Sequence, residues 1–176
     1  MRKEIVRSGQ RLSDEAVKHI LERAQFGVLA LNGDENYLYS VPLSFVWTEG
    51  AVYFHGRPKG YKFDSIQRTT KTSFAIVAQS HVVPRLRANN FRSVIVWGTL
   101  EEVTNLEEKR AALIALANKY SPGVPDNQEE IEHSLKYVYS VKLVPQAITG
   151  KEALDEVIKA GLNDPDILPP TSLLML

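Results

Sequence analysis

The stretch 52–64 carries most of the groups in this sequence that can do chemistry. A strand pattern ends at His55, glycine and proline then predict a turn, and a helical pattern opens near Gly60. The cations beside this turn are Arg57, Lys59 and Lys62. Because a helix N-terminus offers free N–H donors, cations at that point indicate a phosphate site. The alternative is an ordinary solvated turn with surface lysines.

His55 has two interpretations as well. A lone histidine at a strand end is most often a polar residue at the edge of the core. The functional alternative is that its imidazole faces a ligand held by the adjacent turn.

Composition excludes several other kinds of site. The chain has no cysteine, which removes disulfides, thiolate metal sites and cysteine nucleophiles. Its four histidines show no metal-ligand spacing, so no metal site is expected. Lys plus Arg equals Asp plus Glu at 21 each, which gives no bulk attraction to nucleic acid or anionic lipid. The basic stretch 84–92 contains too few arginines and aromatics to be a nucleic-acid surface.

No run of residues approaches the roughly 20 apolar positions that a membrane-spanning helix needs. The N-terminus shows no apolar leader, so a cytoplasmic location is expected. The apolar fraction of 44% and charged fraction of 24% are typical of a globular protein.

The elements that must position the turn follow from periodicity and punctuation. Ser13 is a predicted N-cap of a helix at 14–24, and Asn105 of a helix at 106–120. Strands at 26–31, 37–47 and 51–55 are predicted as an antiparallel meander, with a helix at 59–68 after them. The remaining predictions are strands at 72–78, 91–100 and 137–144, short helices at 128–134 and 152–160, and a proline-rich tail. This pattern predicts an α+β, mainly β fold built on an antiparallel barrel.

Five motifs follow one another in a recognisable order. They are Tyr39-Ser40-Val41-Pro42-Leu43-Ser44-Phe45, Tyr53-Phe54-His55, Gly60-Tyr61-Lys62-Phe63-Asp64, Phe91-Arg92-Ser93-Val94-Ile95-Val96-Trp97-Gly98 and Ala147-Ile148-Thr149-Gly150-Lys151. In this order the sequence resembles the nitroimidazole-resistance flavoproteins, within the pyridoxamine 5′-phosphate oxidase-like superfamily of FMN-binding split barrels. The likeness covers about residues 1–152, which is the expected FMN-binding domain, and leaves 153–176 as a C-terminal helix and tail that could be a dimer arm.

The resemblance implies a set of FMN-binding positions. The strand that begins at Tyr39 would lie along the isoalloxazine and ribityl chain, largely through backbone groups. Its candidate flavin-edge residues are Val41, Pro42, Leu43 and Ser44. Phe54 and His55, at the end of the next strand, would also contact the flavin. The helix-opening pair Tyr61 and Lys62 would hold the 5′-phosphate, with Lys62 the strongest assignment.

Ser93 falls where the superfamily places a polar group against the pyrimidine end of the flavin. Arg92 points to the opposite face of a regular strand, so only one of the two can face the flavin. Members of the group commonly carry Arg-Lys where this chain has Tyr61-Lys62, and Arg57 or Lys59 would then compensate for the missing cation. The substrate-binding C-terminal segment of the vitamin B6 oxidases has no match here, which argues against oxidation of pyridoxamine phosphate.

Two functions are expected from these residues. The first is a homodimeric FMN-dependent oxidoreductase, with the flavin at the dimer interface and His55 acting on a small acceptor such as a nitroimidazole. A reduced nicotinamide is a candidate electron donor, and it would bind transiently because no Gly-x-Gly-x-x-Gly stretch is present. The alternative is a split barrel that binds FMN or haem without turnover, as a sensor or storage module.

Overall fold

The strands form one sheet of seven members. A computed structural model describes residues 5, 7–84 and 87–153, and the predicted tail lies outside this part of the chain. The sheet order is β2-β1-β5-β6-β7-β4-β3. The strands are β1 (Phe26–Asn32), β2 (Leu38–Ser44), β3 (Val46–Thr48), β4 (Ala51–Gly56), β5 (Lys71–Val83), β6 (Ala88–Glu102) and β7 (Tyr139–Glu152). The described helices are α1 (Asp14–Arg23), α2 (Tyr61–Arg68), α3 (Leu106–Tyr120) and α4 (Asn127–Ser134).

Phe45 divides what the sequence predicted as one strand over 37–47. The first half, β2, pairs antiparallel with β1, whereas the second half, β3, pairs with β4. Both antiparallel pairings of the predicted meander are therefore present, but two separate strands make them, and these strands stand at opposite ends of the strand order. Because Phe45 alone separates β2 from β3, the two edges of the sheet meet there. The predicted α+β architecture on antiparallel strands is confirmed.

The later strands are longer than predicted. β5 extends to Val83, and β6 begins at Ala88 and so includes the second half of the basic stretch 84–92, while 85–86 lie outside the described residues. β7 begins at Tyr139 and runs to Glu152, past the predicted end at 144. The helix predicted at 59–68 begins only at Tyr61, because Gly60 has a positive φ of 93°, which a helix cannot contain.

Both predicted side-chain caps are confirmed. Ser13 Oγ accepts a hydrogen bond of 3.2 Å from the Ala16 N–H at the start of α1. Asn105 Oδ1 accepts one of 2.9 Å from the Glu108 N–H at the start of α3. Each satisfies a backbone donor that the first helical turn leaves without a partner, and so sets where the helix begins.

The chain divides into two compact units, and the first comprises 1–24, 75–96 and 147–176. Within it, Gly150 lies so close to α1 that a Cβ there would approach Val17 Cγ2 to 2.4 Å. Arg92 is buried and its Nε donates a 3.0 Å hydrogen bond to a Glu152 carboxylate oxygen. The apolar interior of this unit is formed by Ile20, Leu21, Ile76, Val94 and Val96.

The second unit, 25–74 and 97–146, holds α3 and α4 against β3 and β4. Tyr53 donates its hydroxyl hydrogen to Glu108 of α3 at 2.8 Å, and Lys142 of β7 reaches the same oxygen at 2.7 Å. This network joins the helix to two neighbouring strands. Burial and the Glu108 hydrogen bond raise the pKa of Tyr53 to about 12, so the phenol keeps its hydrogen.

Candidate functional site

A pocket in the second unit collects residues from β2, β4, α2 and β7. It is a narrow cleft that opens to solvent, with a cavity volume of only about 10 Å³. Antiparallel pairing of β4 with β7 builds one wall, since Phe54 lies opposite Val141 and Gly56 opposite Tyr139. The lining residues are Leu43, Phe54, His55, Gly56, Arg57, Lys62, Phe63, Ile66, Tyr139 and Val141.

The pocket has an apolar body and a basic rim. Phe54 is buried, and it stacks edge to face on Phe74 with ring centroids 5.0 Å apart. Phe63 meets the Tyr139 ring in the same way at 4.8 Å. Arg57 and Lys62 supply the charges, and no carboxylate is among the described lining residues. The lining therefore presents an apolar surface with positive charge at one end.

Lys62 lies in the first turn of α2. Its Nζ is 3.4 Å from the point where a Cβ on Gly56 would stand, so the glycine leaves space for the ammonium group. Gly60 ends the preceding turn without a side-chain cap, which leaves the first N–H groups of α2 available to a ligand. A cation beside free helix amides is a ready site for a phosphate dianion.

His55 is exposed at the end of β4, beside Lys62. The pKa of its imidazole lies below the ordinary 6.5, first because surrounding protein desolvates the charged form and second because of the Lys62 charge. Both causes favour the neutral imidazole, which has one ring N–H donor and one acceptor nitrogen.

The flavin-edge candidates on β2 divide between two faces. Val41 and Leu43 share the half-buried face with Tyr39, whereas Pro42 and Ser44 are exposed on the other. Of the β2 candidates, only Leu43 lines the pocket among the described residues. Because the candidates lie on two faces, the side chains of only one face can meet the same side of a ligand.

Tyr61 is engaged with the turn after β1. Its hydroxyl accepts a 2.9 Å hydrogen bond from the Asp34 N–H, and its ring meets the Tyr39 ring edge to face at 4.9 Å. Lys59 is exposed and is absent from the pocket lining. Of the two cations expected to compensate for Tyr61, Arg57 is the one at the pocket.

Ser93 belongs to the first unit. It is half-buried on β6, and the buried Arg92 beside it points to the opposite face and pairs with Glu152. Of the two alternatives that the strand alternation left open, Arg92 is therefore committed to the interior and Ser93 is on the outward face.

Tyr139 and Val141 were not predicted as site residues. Tyr139 accepts a hydrogen bond of 2.9 Å from the Gln67 side-chain amide, and burial is the main cause that raises the pKa of its phenol. No local motif marks either residue, because they reach the pocket only through the pairing of β7 with β4. The one sequence signal was that Tyr139 is an aromatic residue near the start of the strand predicted at 137–144.

The antiparallel sheet with its flanking helices is an α+β split-barrel fold, and comparison with known proteins agrees with that class. A family model described as pyridoxamine 5′-phosphate oxidase matches residues 13–152. The chain belongs to the pyridoxamine 5′-phosphate oxidase family, as the motif order predicted. No curated protein is significantly similar to it.

Solved structures share the fold at low sequence identity. A protein from Bacteroides thetaiotaomicron, assigned to 5-nitroimidazole antibiotic resistance, is 22% identical with a TM-score of 0.66, covering 80% of this chain and 84% of that one. A conserved hypothetical protein from Mycobacterium tuberculosis has a TM-score of 0.75 at 15% identity, over 96% and 99%. An FAD- and haem-binding protein from Mycobacterium smegmatis has a TM-score of 0.68 at 19% identity, over 93% of each chain.

Two further findings concern metal sites and membrane-spanning helices. Among the residues that the structure describes, no group of three or more metal-ligating side chains comes together. Within the same residues, no helix is long and apolar enough to cross a membrane.

Proposed function

We propose that this protein is an FMN-dependent oxidoreductase that reduces a small acceptor in the pocket beside His55. The observation that carries the proposal is the convergence of Leu43, Phe54, His55 and Lys62 on one pocket. These positions come from three of the five motifs, all within residues 39–64. FMN supplies the electron transfer when bound, and the protein needs to hold it, orient it and shape the space above it.

The residues present fit the cofactor. Lys62, the uncapped first turn of α2 and Arg57 would hold the 5′-phosphate, since together they offer amide donors and two positive charges. Phe54 and Leu43 would pack against the ring system. Neutral His55 would donate its ring N–H to the acceptor, where negative charge develops during reduction.

Exposed apolar side chains on two strands support a homodimer. Phe26 of β1 is 62% exposed, Val28 of β1 38% and Trp97 of β6 42%. Large exposed apolar side chains are typical of surfaces that a partner covers, and the resemblance expects a partner chain beside the flavin. A reduced nicotinamide remains our candidate donor, and a nitroimidazole-like compound our candidate acceptor.

The absorbance spectrum of the purified protein, and the mass of the molecule that heat releases, test the cofactor. We expect flavin bands and released FMN. A haem absorbance band, or a colourless protein that takes up no added FMN, would contradict the proposal. Anaerobic bleaching of the bands by a reduced nicotinamide separates an enzyme from a passive binder.

A matched pair of lysine variants tests the phosphate assignment. Lys62→Ala should weaken FMN binding by about tenfold or more, because a charge-assisted hydrogen bond to phosphate is lost. Lys136→Ala, which removes an exposed lysine outside the pocket lining, should leave FMN affinity unchanged. Equal affinities in the two variants would show that Lys62 does not hold the phosphate.

A further inference from the structure

The cleft beside Lys62 has the lining of a binding site but no room for a ligand. Its cavity volume of about 10 Å³ corresponds to one water molecule at most. One wall belongs to α2, through Lys62, Phe63 and Ile66, and most of the opposite wall belongs to β4 and β7. A larger group therefore enters the cleft only when α2 and these two strands move apart.

α2 is held firmly on the side of β1. Among the strands, β1 is the one that the helix packs against most closely. At the C-terminal end of the helix, the Asn32 N–H donates a 2.8 Å hydrogen bond to Thr69 Oγ1. The Tyr61 hydroxyl accepts a hydrogen bond from the Asp34 N–H, and Arg68 pairs with the Asp34 carboxylate at 2.6 Å. Both ends of α2 are thus fixed to β1 or to the turn that follows it.

On the side of the cleft, α2 meets β7 through one residue, Tyr139. The Tyr139 ring packs edge to face on Phe63 with the centroids 4.8 Å apart, and its hydroxyl accepts a 2.9 Å hydrogen bond from the Gln67 side-chain amide. Among the described residues, no other hydrogen bond or ion pair joins α2 to β4 or β7. Gly56 lies across from Tyr139 in the β4–β7 register and has no side chain to extend toward the helix. The attachment of α2 is therefore weaker on the cleft side than on the β1 side.

We propose that α2 is a lid over the cleft, which pivots on its attachments to β1 and the following turn, and that Tyr139 is the contact that closes it. When the Gln67 hydrogen bond and the Phe63 ring contact break, the helix moves away from β7 and carries Lys62 with it. Gly60, with its φ of 93° and no side-chain cap, gives the chain freedom at the start of the helix. The lid rests on these contacts alone, and on the proposed function only for the identity of the group that enters.

The chain contains no cysteine, so one introduced thiol reports the opening of the lid. Val141 lines the cleft and is 2% exposed, so the thiol of Val141→Cys should react with a maleimide only when the lid is open. Adding Tyr139→Phe should accelerate labelling by about fivefold, because the closing hydrogen bond is lost while the ring remains. Urea should change the rate only weakly, since a local opening exposes little surface.

Ala112→Cys is the matched control. Ala112 is also 2% exposed, and it belongs to the apolar cluster beneath α3 and α4, to which α2 contributes no residue. Its labelling rate should not respond to Tyr139→Phe. Equal acceleration at both thiols would show a general loss of stability and would overturn the lid, as would an unchanged rate at Val141→Cys.

Gln67→Ala removes the same hydrogen bond from the side of the helix. Gln67 is exposed, so this variant tests the proposal even where Tyr139→Phe does not fold. We expect the same acceleration at Val141→Cys, and wild-type labelling in Gln67→Ala would contradict the closing role of this contact.

Addition of FMN provides a separate readout. If the proposed function holds, FMN should protect the Val141→Cys thiol, and Tyr139→Phe should raise the association rate of FMN by up to about fivefold in stopped-flow fluorescence. Unprotected labelling of the FMN-bound protein would overturn the lid as the entrance to the flavin site. A thiol that Tyr139→Phe exposes in a protein that binds no FMN would refute the proposed function and leave the lid in place.

Discussion

The Tyr61 hydroxyl accepts a 2.9 Å hydrogen bond from the backbone N–H of Asp34, which joins the first turn of α2 to the turn after β1. Arg68 reinforces the link, since its guanidinium pairs with the Asp34 carboxylate at 2.6 Å and lies over the Tyr61 ring, 5.8 Å from its centroid. Gly33 is needed here, because a Cβ would approach the Tyr61 hydroxyl to 2.8 Å. The aromatic that replaces a basic residue of the family therefore anchors the helix that presents Lys62.

Tyr61→Phe should lower the free energy of unfolding by about 1 kcal/mol, the usual contribution of one hydrogen bond. Urea denaturation measures the change. Tyr37→Phe is the matched control, because that hydroxyl makes no hydrogen bond within the described residues and the side chain is exposed. Indistinguishable midpoints for the two variants would mean that the Asp34 contact contributes nothing.

Gly56→Ala should weaken FMN binding without unfolding the protein. The added Cβ would lie 3.4 Å from Lys62 Nζ, and the flexible lysine end can move aside at the expense of its place in the pocket. We expect a smaller loss of affinity than in Lys62→Ala, measured by quenching of FMN fluorescence. Wild-type affinity in Gly56→Ala would show that the position of the ammonium group does not matter.

Gly98→Ala should prevent folding, in contrast to Gly56→Ala, because the added Cβ would meet backbone rather than the end of a flexible side chain. Its Cβ would stand 2.0 Å from the Val144 carbonyl oxygen, which is backbone and cannot yield as a lysine end does. We expect little folded protein, measured by circular dichroism and by the absence of a cooperative thermal transition. A thermal transition at the wild-type temperature in this variant would show that β6 and β7 can move apart at Gly98 with little loss of stability.

The lowered pKa of Lys119 predicts that the free energy of unfolding increases with pH on the alkaline side. Its Nζ donates a 3.0 Å hydrogen bond to the Phe45 carbonyl and lies 4.1 Å from the centroid of the Phe45 ring, and desolvation lowers its pKa from 10.5 to about 8. Between those two values the unfolded chain holds a proton that the folded chain has released, so stability increases with pH.

The comparison that isolates this effect is wild type against Lys119→Met. From pH 8 to pH 10.5 the wild type should gain about 1 to 3 kcal/mol in unfolding free energy relative to the variant. Below pH 8 the difference should be constant. Tyrosine ionisation contributes equally to both proteins and cancels. Parallel stability curves across this range would refute the lowered pKa.

Trp97→Arg should dissociate the proposed dimer. A tryptophan at the centre of an interface commonly contributes about 2 kcal/mol or more, which corresponds to about a 30-fold weaker dimer. Sedimentation velocity over a range of concentrations measures this. Tyr137→Arg, at an exposed aromatic that follows α4, is the control and should leave the dimer intact. A monomeric wild type would contradict the homodimer itself.

Much of the local structure was predictable from the sequence. Ser13 and Asn105 start their helices because each side chain satisfies an N–H three residues ahead, which is a contact that depends on nearby residues alone. The apolar runs identified the strands, and the glycine and proline after His55 identified the turn that leads to Lys62. The order of the five motifs along the chain also identified the family.

The order of the sheet was decided by tertiary structure. β2 and β3 pair with their neighbours in sequence, but nothing near Phe45 shows that β5, β6 and β7 join β1 to β4 and so place β2 and β3 at the two edges. Tertiary structure also decided that Tyr139 and Val141 reach the pocket, through the pairing of β7 with β4. It likewise decided that the Tyr61 hydroxyl accepts a hydrogen bond from the Asp34 N–H. Capping and periodicity act over a few residues and are written in the sequence, whereas strand register and side-chain contacts across the sheet arise only when distant segments pack together.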